Sequence, residues 1–110
     1  MPQQFLLKEL PAIFALRSRT LAQPVTLQLL VPGHIELRTH YKISAQSTTS
    51  TVGLSPVSTD VSLTIGLPEL VQLKRGSLNW SEAIGLGRVQ VFGGAGAAYL
   101  LGRLFEGGTQ

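Results

Sequence analysis

The stretch "VQVFGGAGAAYLLGRLF", Val89 to Phe105, sets a short alternating strand against a glycine cluster and a helix-forming run. A nucleotide-binding unit would use such a turn as a phosphate cradle, with G-x-G-x-x-G between a strand and a helix and a second strand to follow. Gly94 and Gly96 fill the first two positions, but Tyr99 stands at the third, and only eleven residues come after it. The G-x-x-x-x-G-K-[ST] loop is also absent, because no lysine precedes a serine or threonine. The glycines therefore read as packing residues. Gly93 and Gly94 can take positive φ at a tight strand-to-helix turn. Gly96, Ala97 and Ala98 keep the first helical turn slim enough to lie close against a sheet. Ala97, Leu101, Leu104 and Phe105 then continue a core-facing stripe.

Working back towards the N-terminus, "NWSEAIGLG" carries Asn79 and Glu82 at capping-box spacing. "LPELVQLKRG" has Pro68 in the first turn, Glu69 where the helix dipole favours an acid, and Lys74, Arg75 and Gly76 at its close. "DVSLTIG" (60 to 66) alternates, with Val61, Leu63 and Ile65 inward and Asp60 placed to orient the strand's start. The Ser/Thr-rich run from Ser44 to Thr59 tolerates a strand near 49 to 54 and carries no clear period. "HIELRTHYKI" has the cleanest alternation: Ile35, Leu37, Thr39, Tyr41 and Ile43 face inward, and His34, Glu36, Arg38, His40 and Lys42 face water. With "PVTLQLLV" (24 to 31) and the Pro32-Gly33 turn it forms a hairpin. Residues 3 to 19 place Phe5, Leu6, Leu10, Ile13, Phe14 and Leu16 on one helical face, with a break or kink at Pro11. A helix, several antiparallel strands, two short helices, a strand and a last helix make an α+β domain.

The 110 residues suit a single domain, 1–110, with one core. There is no cysteine, so disulfides and thiolate metal sites are excluded. Hydrophobic residues make up 44% and charged residues 14%, against about 25% charged in an average soluble domain. That excess of apolar surface fits an oligomer interface, a membrane-surface contact or an internal apolar cavity. The net charge of +3 comes from nine scattered bases without aromatic interleaving, a pattern that points away from nucleic acid. No signal peptide and no span-length apolar run is present, which predicts a cytoplasmic protein.

Chemistry is sparse. His34 and His40, on the wet face of one strand, would stand about 20 Å apart, and no metal-binding spacing accompanies them. Asp60 is the only aspartate, the five glutamates are spread over different elements, and no G-x-S-x-G elbow exists. The chain reads as a non-enzyme without cofactor.

From Thr59 onward the order of residues resembles the sterol carrier protein-type lipid-binding domain. The resemblance is carried by Asp60-Val61, Leu63, Leu70, Leu73, Gly76, Leu78, Ala83, Gly87, Val89, Val91, Gly93, Leu101 and Leu104-Phe105, best over residues 59–105. Family members often carry an acidic residue after the glycine at 93, where Gly94 stands here, and the C-terminal "EGGTQ" is no peroxisomal address. The resemblance implies an antiparallel, five-stranded sheet with helices on one face enclosing an apolar tunnel. It also implies non-catalytic binding of a lipid or isoprenoid small molecule, with lipid transport or an accessory role as the task. Expected tunnel residues are Phe5, Ile13, Phe14, Leu37, Leu63, Leu70, Leu73, Trp80, Ile84, Leu101 and Phe105. Core packing alone would serve each of them, and Trp80 suits a rim or membrane contact as well. Two further partners stay open at this point: a transient membrane surface and a second copy of the chain. The second defines the alternative, a homodimeric interaction module with a filled core.

Overall fold

A computed structural model describes residues 2–19, 21–94 and 96–106. The chain opens with a short α1 (Pro2–Gln4), a π-helical turn (Phe5–Glu9) and α2 (Leu10–Arg17). Strands β1 (Val25–Leu30), β2 (Thr39–Ile43), β3 (Thr48–Val52) and β4 (Val61–Ile65) follow, then α3 (Leu67–Arg75), α4 (Trp80–Gly85), β5 (Val89–Gly93) and α5 (Ala97–Glu106). The five strands form one sheet in the order β3-β2-β1-β4-β5.

Three pairings are antiparallel, β1–β2, β2–β3 and β4–β5, while β1 and β4 run parallel. The parallel pair has a topological cause. β3 lies at one edge and runs parallel to β1, so the chain leaves it at the end of the sheet where β1 finishes; residues 53–60 return to the other end while crossing β2 and β1, and β4 therefore starts beside β1 pointing the same way. Period-two burial places Val25, Leu27 and Leu29 of β1, Tyr41 and Ile43 of β2, and Val61, Leu63 and Ile65 of β4 on the inner face. Phe5, Leu6, Leu10, Phe14, Leu70, Trp80, Leu101 and Leu104 from the helical segments close the same core.

Pro11 does not break the first helix, as its sequence suggested. A prolyl ring crowds the carbonyl four residues before it and offers no N–H. The helix answers by widening into the π-turn, in which the Leu10 N–H reaches Phe5 O. Residue 11 can donate neither to Leu7 O in the α register nor to Leu6 O in the π register. Two side chains from the sheet reach those carbonyls: Tyr41 donates its hydroxyl to Leu6 O at 2.7 Å and Ser50 to Leu7 O at 3.0 Å. The Tyr41 ring also meets Phe14 edge to face at 5.2 Å between centroids.

The long alternating strand is shorter than its pattern implied. Ile35–Leu37 forms a 3-10 turn and the strand begins only at Thr39. Ile35 is consequently exposed (68%), while Leu37 is buried. The strand expected near 49 to 54 lies at Thr48–Val52. His40 corrects a second expectation. It is on the outer face, yet only 8% exposed, because the segment after β3 folds back over it. Its Nδ1 lies 3.1 Å from Gly53 O; a carbonyl only accepts, so Nδ1 carries the hydrogen. Beside it, Gln28 donates to Leu29 O, Thr39 O and Gly53 O and accepts from Ser55 N at 2.7 Å. His34 is outside the strand altogether, just before the 3-10 turn, 3.4 Å from Glu36. The two histidines therefore share no strand face.

The later helices follow their terminal residues. Pro68 sits in the first turn of α3, and Gly76 ends it at φ 80°, a conformation that costs glycine nothing. Asn79 Oδ1 accepts from Glu82 N at 2.8 Å in a reciprocal capping box at α4.

Candidate functional site

Ten of the eleven residues expected to line a tunnel can be placed, and all ten pack in one apolar layer between the sheet and the helices. Phe5, Phe14, Leu37, Leu63, Leu70, Trp80 and Leu101 are buried within it, and Ile13, Leu73 and Ile84 pack half-buried against it. The side chain of Phe105 lies outside the described residues. Trp80 is 8% exposed as the first residue of α4, which makes it a member of this layer and not a rim residue. Its neighbour Asn79 caps the helix, so the indole turns inward where the helix begins.

A pocket opens where this layer reaches one end of the sheet. It measures about 350 Å³. Its rim is polar: Thr59 and Asp60 from the start of β4, facing Gly94 and Gly96 in the turn before α5. Its floor is apolar, formed by Val61, Ala97 and Leu100. Asp60 is fixed by a reciprocal pair with β1, donating its N–H to Thr26 O and accepting from Thr26 N on Oδ2, both at 2.8 Å. That exchange starts the parallel β1–β4 ladder, in agreement with the orienting role expected of Asp60. Beside the pocket, Gly93 pairs with Val61. A β-carbon there would come within 2.6 Å of Asp60 O and 2.9 Å of Ala97 Cβ, so close packing holds at Gly93, whereas Gly94 and Gly96 face open space and the positive φ expected at Gly94 is found at Gly96 (88°). The sequence offered Asp60 and the glycines separately; nothing local in it shows that they share a pocket.

The arrangement has little means of chemistry. Among the described residues Asp60 is the one charged side chain lining the pocket. Among the described residues no three histidine, cysteine or carboxylate side chains converge to hold a metal ion. Burial without a charged partner pushes the Tyr41 phenol far above its usual range, and its hydroxyl is spent on Leu6 O. No helix is long and apolar enough, among the described residues, to cross a membrane.

No family model and no curated protein matches the chain. Solved structures do. The palmitated SCP2L2 protein of Aedes aegypti, a solution NMR structure, superposes with a TM-score of 0.70 at 17% identity, over 96% of this chain and 95% of that one. The stereoselective inverting sec-alkylsulfatase Pisa1 from Pseudomonas sp. gives a TM-score of 0.68 at 21% identity, over 96% of this chain. This chain spans only 16% of that enzyme's length. UbiJ-SCP2, a ubiquinone synthesis protein, gives a TM-score of 0.58 at 20% identity, over 94% of this chain and 85% of that one. The fold is that of the sterol carrier protein 2 domains.

Proposed function

We propose that this domain binds a lipid or isoprenoid without catalysis, as a carrier or accessory module, with the ligand's chain held in the apolar layer between sheet and helices. The observation that carries the reading is the pocket, whose floor residues Val61, Ala97 and Leu100 belong to or pack against the apolar core. Fold likeness to a palmitated protein supports it. Apolar burial supplies the affinity, at roughly 0.8 kcal/mol per methylene, and asks for only a few polar groups at the mouth. The sulfatase likeness, over 16% of that enzyme's length, is read as likeness of fold. The reading sets the domain to work in the cytoplasm, with contact to a membrane limited to ligand exchange.

Native mass spectrometry of the freshly purified protein tests this directly. A stoichiometric lipid adduct on the monomer, identified after denaturation, is the expected result. Leu101→Asp, at a fully buried position facing the sheet, should remove the adduct, with circular dichroism on the same sample to separate lost binding from lost folding. A ligand-free dimer would instead favour the filled-core interaction module. Phe92, 55% exposed on the edge strand β5, would then be the first contact to examine.

A further inference from the structure

The sheet ends on β5, and the direction of that strand's amides follows from the ladder. Gly53 N donates to Arg38 O and Ser44 N to Ser47 O, and both bonds continue the β2–β3 register. The even-numbered residues of β2 therefore turn their amides to β3, and Thr39, Tyr41 and Ile43 turn theirs to β1. Their partners Val25, Leu27 and Leu29 are taken up by β2, and Thr26, Gln28 and Leu30 turn to β4, as the Thr26–Asp60 bonds require. In the parallel register of Leu27 with Val61, those residues bond Val61, Leu63 and Ile65, which leaves Ser62 and Thr64 to face β5. Their partners there are Phe92 and Gln90. Val89, Val91 and Gly93 thus direct their amides away from the sheet. Val89 is buried, so the open edge consists of Val91 and Gly93, whose outward groups meet no partner among the described residues.

We propose that this edge pairs with the same edge of a second copy of the chain, antiparallel about a two-fold axis at Phe92. An unpaired row of donors and acceptors calls for another strand, and several features fit this strand to itself. In that register Val91 bonds Gly93 of the second copy, so a branched side chain meets a residue with none. Phe92, 55% exposed on the outer face, stands opposite its own copy in a non-hydrogen-bonded pair, where side chains approach most closely. Two copies also meet there without like charges. β5 reads VQVFG, with none of the lysines, acids or prolines that guard free edges, and Arg88 before it is held by Glu69 and Gln72. Leu86 and Tyr99, in the segments just before and just after β5, add exposed apolar surface. The other edge of the sheet offers no such match: β3 is mostly serine and threonine, and its Ser50 is bonded to the π-turn. The pairing goes beyond the lipid-binding reading and is independent of it, because it uses edge amides and leaves the apolar layer untouched. So short an edge makes a small interface of the reversible class, and dilute protein stays monomeric.

Sedimentation velocity of the full chain from about 10 µM to about 1 mM, a span that brackets weak association, tests the pairing. The wild-type chain should pass from monomer to dimer within it. Phe92→Lys, at an exposed position, should keep the thermal midpoint and weaken association about tenfold or more, as loss of a central anchor does. Val91→Pro removes an N–H that points outward and none that bonds β4, so the chain should stay folded by circular dichroism and also lose about tenfold or more in association. Gln90→Pro, which removes an N–H bonded to β4, should instead lower the thermal midpoint, and that contrast checks the amide directions. A wild-type chain that stays monomeric at about 1 mM would overturn the proposal. So would a dimer that survives Phe92→Lys, a variant that carries the test even if the proline at 91 unfolds the chain. A dimer lost on Tyr99→Lys but kept in Phe92→Lys would place the contact on α5 and overturn the edge pairing as well.

Discussion

Tyr41 holds the first helix to the sheet through a carbonyl that Pro11 has left without its own donor, and Tyr41→Phe tests that reasoning. The substitution keeps the ring, and so the edge-to-face contact with Phe14, and removes only the 2.7 Å hydrogen bond to Leu6 O. Tyr41 and Leu6 are both fully buried, so water cannot replace the hydroxyl without opening the core. Loss of a net hydrogen bond costs roughly 0.5–1.5 kcal/mol, and leaving a buried acceptor unpaired raises the figure to about 1–3 kcal/mol. We expect about 2 kcal/mol, seen as a lower urea midpoint with an unchanged m-value. A background of Pro11→Ala sharpens the test. Position 11 then has an N–H, and the α register can return, with Leu10 donating to Leu6 O and the new amide at position 11 to Leu7 O. In that background Tyr41→Phe should cost less than about 0.5 kcal/mol, a coupling of more than about 1 kcal/mol, well within what interacting neighbours show. The same cost in both backgrounds would refute the claim that Tyr41 repairs a defect made by Pro11, and would reduce the π-turn to an accident of packing.

Alkaline pH should expose the same residue. The folded phenol titrates far above its ordinary value because burial penalises the anion, so its stabilising contribution is complete below about pH 10 and falls above it, as the unfolded chain loses a proton that the folded chain keeps. Stability should drop by about 1.4 kcal/mol per pH unit above pH 10 from this group, and Tyr41→Phe should remove that slope in denaturation curves taken from pH 9 to 12. Gly93→Ala would force its β-carbon to within 2.6 Å of Asp60 O. A backbone carbonyl cannot swing aside as a side chain can, so an overpacking cost of about 1–3 kcal/mol should appear in thermal melts. Asn79→Ala removes the capping acceptor for Glu82 N and should cost about 1 kcal/mol; no loss would mean that the Glu82 half of the box suffices.

What could be read from the sequence and what could not divide along a physical line. Local rules identified the hairpin, the cap at Asn79, the αL glycine at Gly76 and the inward set Tyr41, Ile43, Val61, Leu63 and Ile65, because each depends on neighbours within a few residues. Pro11 was visible as a disturbance, but the donors that accommodate it, Tyr41 and Ser50, lie more than thirty residues away from the carbonyls they reach. His40 was assigned the right face and the wrong environment. Alternation says which way a side chain points, whereas its cover comes from the Gly53–Ser55 segment, where Ser/Thr composition carries no period. The parallel β1–β4 pairing was equally hidden, since half-buried strands alternate in the same way whichever direction the neighbour runs. Of the eleven residues expected to hold a ligand, the ten that can be placed belong to the apolar layer and none lines the pocket, which was hidden because its two walls are joined only by the ladder that begins at Asp60.

That ladder also shapes one end of this fold. The inner face of the sheet is apolar from Val25 to Ile65 apart from Thr39, Tyr41 and Ser50, whose hydroxyls are spent on the carbonyls of Leu37, Leu6 and Leu7. The outer face is sealed at its centre by Gln28 and His40 beneath the returning segment. At the start of β4 three constraints coincide: the parallel pairing with β1 needs Asp60 to bridge Thr26, β5 must end on Gly93 for want of space, and α5 must begin at once to cover Leu101 and Leu104. Their meeting leaves a carboxylate and a helix N-terminus on opposite walls above an apolar floor. Asp60→Asn is therefore expected to change stability little, because an amide oxygen still accepts from Thr26 N, whereas Gly93→Ala is expected to destabilise the place where β4, β5 and α5 meet.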